Sequence, residues 1–170
     1  TAYDGQGNAY LLTSYSATSG GSVVAQTQRA YNGLGQLTRE WQSRGAAVNT
    51  TTSPSVQYTF STLDATNKSR LTGVTYPSGY VLTYNYASGI NSDVSRLSSL
   101  SDASGTVESY EFLGAGTVVK RGHPQSGVDQ TFILQVPEST ADAGDQYIGL
   151  DRFGRVADQR WRGSSDVDRT

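Results

Sequence analysis

The stretch Tyr31-Asn32-Gly33-Leu34-Gly35-Gln36-Leu37-Thr38 decides the fold. An Asn side-chain oxygen can accept hydrogen bonds from backbone N–H groups two residues on, and a Gly three positions later takes the positive φ that closes a type I turn with a bulge. Tyr on one side and Leu-Thr on the other are strand formers. The octet therefore reads as a strand, a four-residue turn and a returning strand. Similar units stand at Asp4-Gly5-Gln6-Gly7, Pro77-Ser78-Gly79 after Tyr76, Asp102-Ala103-Ser104-Gly105, Leu113-Gly114-Ala115-Gly116, Pro124-Gln125-Ser126-Gly127 and Asp151-Arg152-Phe153-Gly154. In each, the final Gly is expected to carry the positive φ.

Between these turns lie segments of strand length. Tyr80–Tyr86 is rich in β-formers, with Tyr80, Leu82, Tyr84 and Tyr86 on one alternating face, and Thr106–Phe112 alternates imperfectly. Val23–Tyr31, Gln36–Gln42, Val56–Ser61, Leu71–Tyr76, Arg96–Ser101, Thr117–Arg121, Thr131–Val136 and Arg155–Trp161 are further candidates. No segment shows a helical period; a turn or two of helix is expected only around Glu138–Ala143. The expected fold is all-β, a meander of antiparallel hairpins.

Composition agrees. Hydrophobic residues make up 35% of 170 residues, and Gly numbers 19, yet 11 Tyr, 4 Phe and 2 Trp set the chain apart from disordered sequences, which are poor in aromatics. A net charge of −2 leaves no basic footprint for nucleic acid. No apolar run reaches the ~18 residues of a membrane helix. With no Cys, disulfides, thiol catalysis and cysteine metal sites are excluded. The absence of Met suggests an internal piece of a larger protein or a processed product.

These motifs resemble the signature of the RHS/YD-repeat family, Tyr-Asp-x-x-Gly-Arg-Leu-Thr. The Tyr31–Thr38 octet carries Asn for Asp and Gln for Arg. Tyr3-Asp4-Gly5-Gln6-Gly7-Asn8 matches the first half, and Leu150-Asp151-Arg152-Phe153-Gly154-Arg155-Val156 matches with Leu for Tyr. Ser69-Arg70-Leu71-Thr72 and Ser95-Arg96-Leu97-Ser98 look like the second half alone. The resemblance implies that residues 1–170 form one array of degenerate hairpin repeats, a section of a β-solenoid or of the hollow β-shell that such proteins build. It carries over turn and strand residues only: Tyr3, Asp4, Gly7, Tyr31, Asn32, Gly35, Leu37, Asp151, Gly154 and Arg155, beside which Asp102 and Gly105 stand as turn residues by their spacing alone. The chain lacks the Asp-Pro signature of the family's self-cleaving core, so no autoproteolytic residue transfers.

The role implied is a non-catalytic scaffold in a secreted or cell-surface protein, without a cofactor. Its partners are the rest of its parent chain or copies of itself, with an enclosed toxin effector or a surface glycan as further candidates. Two alternatives share the fold: an adhesive, glycan- or protein-binding module, and a self-assembling extracellular fibre subunit. In the repeat, Tyr before the turn and Leu after it are expected as cross-strand neighbours. Arg155 is expected to lie on a Tyr ring or to pair with an acid on the next hairpin.

Individual residues give little chemistry. His123 is the only histidine and reads as a loop residue at a turn. The acids Glu138, Asp142, Asp145 and Asp151 have no calcium-loop spacing, and Asp166 and Asp168 read as solvated. Trp41, Tyr80, Tyr84 and Trp161 could offer stacking platforms to a ligand. The plainer expectation is that Trp41 and Trp161, following Leu37 and Val156, fill equivalent places in the sheet core. Asn49-Thr50-Thr51 and Asn67-Lys68-Ser69 are formal glycosylation sequons.

Overall fold

The computed structural model describes residues 1–61, 69–132, 149–151, 153–156 and 159–163, and 167–169 as strand backbone. Among them the chain is all-β. The strands are β1 (Ala2–Tyr3), β2 (Ala9–Tyr15), β3 (Val23–Tyr31), β4 (Leu37–Arg44), β5 (Ser55–Phe60), β6 (Leu71–Thr75) and β7 (Val81–Asn85). They continue as β8 (Ser99–Asp102), β9 (Gly105–Leu113), β10 (Thr117–His123), β11 (Val128–Thr131), β12 (Gln159–Arg162) and β13 (Val167–Arg169). One helical turn, α1 (Ile90–Asp93), precedes β8. It lies where no helix is expected from the sequence. Too short to show a period, it is closed by hydrogen bonds from Asp93 N to Gly89 O and from Val94 N to Ile90 O. The expected helical turn at 138–143 lies outside the described residues, as do residues 133–136 of the expected strand 131–136.

Every ladder is antiparallel and strand order follows chain order, as in a meander. The chain divides into two compact units, Thr1–Leu82 and Thr83–Thr170, with the boundary inside β7. In the first, β3 and β4 form the longest ladder, from Ala25 opposite Arg44 to Tyr31 opposite Leu37. In the second, β9, β10 and β11 form the centre, with Arg121 opposite both Tyr110 and Gln130.

Within each unit the close backbone contacts between described strands are those of ladder neighbours. The core is thin. Among the described residues the buried apolar side chains are Trp41 and Val74 in the first unit and Val119 in the second, where Thr131 is the buried polar one. Val119 owes its burial to a bulge. Val118 pairs with Phe112 and Lys120 with Glu111, leaving Val119 as the extra residue. Its carbonyl is not wasted: it accepts from Phe132 N at 2.9 Å and from Thr131 Oγ1 at 3.4 Å.

Candidate functional site

One turn recurs with the same bonds. At residues 4–8, Asp4 N donates to Asn8 O and Gly7 N to Asp4 O, while Gln6 N and Asn8 N both donate to Asp4 Oδ1. At 32–36 the same four bonds run from Asn32 N to Gln36 O, from Gly35 N to Asn32 O, and from Leu34 N and Gln36 N to Asn32 Oδ1. At 151–155 they link Asp151, Phe153, Gly154 and Arg155 in the same way. The closing glycines take φ of 86°, 74° and 76° at Gly7, Gly35 and Gly154, a region that costs little only for Gly. The backbone bonds also recur from Tyr76 N to Tyr80 O and from Gly79 N to Tyr76 O, without the Asx side chain.

The fifth residue of each turn locks the first. Asn8 Nδ2 donates to Asp4 Oδ2 at 3.0 Å, Asn32 Nδ2 to Gln36 Oε1 at 2.8 Å, and Arg155 Nε to Asp151 Oδ2 at 2.7 Å. Arg155 thus pairs within its own turn and lies over the Phe153 ring at 5.3 Å, not over a Tyr or on the next hairpin. Only three residues intervene, and the turn folds the two side chains onto each other. The Asn8 side-chain amide, then its backbone N–H, hold the Asp4 carboxyl below the ordinary carboxylate range. The backbone N–H of Arg155, and its guanidinium after it, do the same for Asp151.

Two other expected units differ. Asp102 pairs directly with Gly105 across a two-residue turn, with Ser104 N donating to Asp102 Oδ1 at 2.8 Å. In Leu113–Gly116 the positive φ falls on Gly114 (62°), and not on Gly116, because Thr117 already pairs with Leu113. His123 is not a loop residue. It ends β10, opposite Val128, because the turn begins one residue later at Pro124.

Tyr31 stands opposite Leu37, and Tyr3, exposed, opposite Ala9. Sequence reasoning missed a set of ties between turns on the same side of each ladder. Tyr31 Oη donates to Ala9 O at 2.9 Å. Gln36, in the place of the family's Arg, accepts from Ser69 Oγ at 3.0 Å. Arg96 donates to the Gly114 and Ala115 carbonyls and lies over the Phe112 ring at 4.2 Å. Gln125 Nε2 donates to Asp102 Oδ1 at 2.9 Å. No local signal marks these partners, which are 16 or more positions apart in the chain.

The aromatic candidates separate. Trp41 is 8% exposed; its indole N–H donates to Thr50 O at 3.0 Å, and Arg39 lies over its ring at 4.9 Å. An open groove of about 790 Å³ runs beside it, lined by Arg39, Thr38, Leu34, Gln57, Thr59 and Phe60 among others. Tyr80 is exposed in its turn, 5.9 Å from Tyr76. Tyr84 is half-buried on β7, opposite Leu100. Trp161 is half-buried and stacks on His123 at 6.4 Å, so the two tryptophans do not occupy equivalent places.

Charged groups on the ladders are mostly paired across strands. Arg29 Nε lies 2.7 Å from Glu40 Oε2. Burial pushes the Glu40 carboxyl up, but hydrogen bonds from Arg29 and Gln42 outweigh it and hold the group below its ordinary value. Lys120 sits 3.3 Å from Glu111 and 3.2 Å from Asp129, and its side chain is only 14% exposed. Among the described residues no group of three or more His, Cys, Asp or Glu side chains is placed to hold a metal ion. Glu138, Asp142, Asp145 and Asp166 lie outside the described residues, as does the side chain of Asp168. No described helix is long and apolar enough to cross a membrane. Comparison with protein-family models and with curated proteins returned no match.

Proposed function

We propose that this chain is a non-catalytic scaffold segment of a large secreted or cell-surface RHS/YD-repeat protein, part of the wall of a β-shell that encloses an effector. The observation that carries this reading is the recurrence of one five-residue turn, bond for bond, at 4–8, 32–36 and 151–155. Such a turn returns the chain antiparallel while leaving its side chains free to vary. A wall can then be extended hairpin by hairpin, each new strand covering the exposed edge of the last. The thin core supports the same reading, since sheets that bury so few apolar side chains gain from neighbours that cover their faces.

Electron microscopy of the native particle that contains the chain tests the proposal. A closed, hollow β-shell with this segment in its wall is the expected result. Extended filaments or a surface lattice would replace it with self-assembly.

A further inference from the structure

One face of the second unit carries a row of hydrogen-bond donors in which only Tyr110, whose hydroxyl bonds to Glu108, has an acceptor among the described residues. Register puts Tyr110 of β9 opposite Arg121 of β10, Arg121 opposite Gln130 of β11, and Gln130 opposite Trp161 of β12. Opposed residues in an antiparallel ladder share a face. The four therefore form one row, about 14 Å long at a strand spacing of about 4.8 Å. Arg121 is exposed, and its guanidinium makes no hydrogen bond or ion pair among the described residues. The side-chain amide of Gln130 and the indole N–H of Trp161 are likewise unmatched there. The contrast within the same chain is plain: Arg29, Arg96, Lys120 and Arg155 are all held by acceptors, and Trp41 spends its N–H on Thr50 O.

The next row on this face supplies what the first lacks. Glu108 Oε1 lies 4.0 Å from His123 Nε2, and the His123 ring stacks on Trp161 with 27° between the planes. One side of the indole is thus occupied, which fixes its orientation. Aromatic rings stand at both ends of the donor row, with a fork of N–H groups between them and a carboxylate beside it.

That combination selects a ligand class. A guanidinium fork matches a carboxylate in two parallel hydrogen bonds. Aromatic rings with a polar edge suit a partner that has both apolar faces and hydroxyl groups. Glu108 accepts from hydroxyls but repels a second anion placed close to it. A bare inorganic anion would leave the rings unused, and a polyanionic peptide would meet Glu108 without compensation. We infer that the Tyr110–Arg121–Gln130–Trp161 row binds a carboxylated saccharide, with the uronate carboxylate on Arg121 and Gln130 and a sugar ring against Trp161. The inference stands independently of the scaffold reading, since a shell wall and an isolated module would present the same row.

The test is titration of the whole chain with a uronic-acid trisaccharide, followed by calorimetry and tryptophan fluorescence. A neutral trisaccharide and a short poly-glutamate peptide are titrated alongside. The uronate is expected to bind at least about tenfold more tightly than either, with a change in fluorescence, and to weaken as salt is added. Arg121→Gln, at an exposed position, is expected to weaken binding about tenfold or more with an unchanged circular-dichroism spectrum. Arg121→Lys keeps the charge but loses the fork, and is expected to weaken binding as well. No uronate binding at millimolar concentration, equal binding of poly-glutamate, or undiminished affinity in both variants would overturn the assignment.

Discussion

Removing the side-chain oxygen of Asn32 deprives two backbone N–H groups, those of Leu34 and Gln36, of their acceptor. Asn32→Ala is therefore expected to destabilise the chain by about 1 kcal/mol, the usual net worth of such bonds at a partly exposed site, measured by urea unfolding. Gly35→Ala forces an L side chain to φ 74° and is expected to cost about 1 kcal/mol by the same measurement. Asp4 and Asp151 add a pH dependence. Both carboxyls are held below their ordinary value when folded. Their contribution is thus complete above the unfolded carboxylate value of about 3.9 and is lost as pH falls through the lower folded value. The double variant Asp4→Asn, Asp151→Asn keeps the acceptor, as Asn32 does, and should flatten the acid limb of a stability-against-pH curve. At this scale the sequence was most legible: the Asx acceptor and the closing Gly stand within three residues of each other, so spacing alone revealed them. The partner of Arg155 was misjudged although it lies in the same turn. An Arg stem has several reachable acceptors, and composition does not rank them.

Among the elements, β10 depends most on its neighbours. Val119 is completely buried by the bulge between β9 and β10, and Val119→Ala is expected to cost about 2 kcal/mol in an unfolding titration. Lys120 stands between carboxylates on both flanking strands. Burial pulls its ammonium down, but Glu111 and Asp129 outweigh that and raise it above the ordinary lysine value. Its stabilisation is therefore complete below that ordinary value and is lost only as pH rises through the raised one. Lys120→Met removes the cation that stands between these two carboxylates. The variant should unfold at lower denaturant than the parent, with part of the loss recovered by added salt. Strands read well from β-forming composition: β3 runs from Val23 to Tyr31 as expected. Bulges did not, since an extra residue such as Val119 is defined only against the strand opposite.

For the molecule as a whole, the feature with the widest consequence is how few apolar side chains are buried: Trp41, Val74 and Val119 among the described residues. The heat-capacity change of unfolding scales with apolar surface removed from water. Calorimetry of the isolated chain is expected to give less than the ~12–15 cal/mol/K per residue usual for compact domains. A value within that range would mean that the chain buries far more apolar surface than Trp41, Val74 and Val119 account for.

The sequence by itself determined that this chain is an antiparallel β-meander with Gly-closed turns, because hydrogen bonds spanning five residues and an alternation of period two are written in local order. Only the tertiary structure decided the rest. Trp41 is buried under Arg39 while Trp161 stays half-exposed against His123. Gln36 reaches Ser69, and Arg121 shares a row with Trp161 across an intervening strand. These relations depend on register and on contacts between residues far apart in the chain, and a one-residue slip in register would have sent each of these side chains to the opposite face.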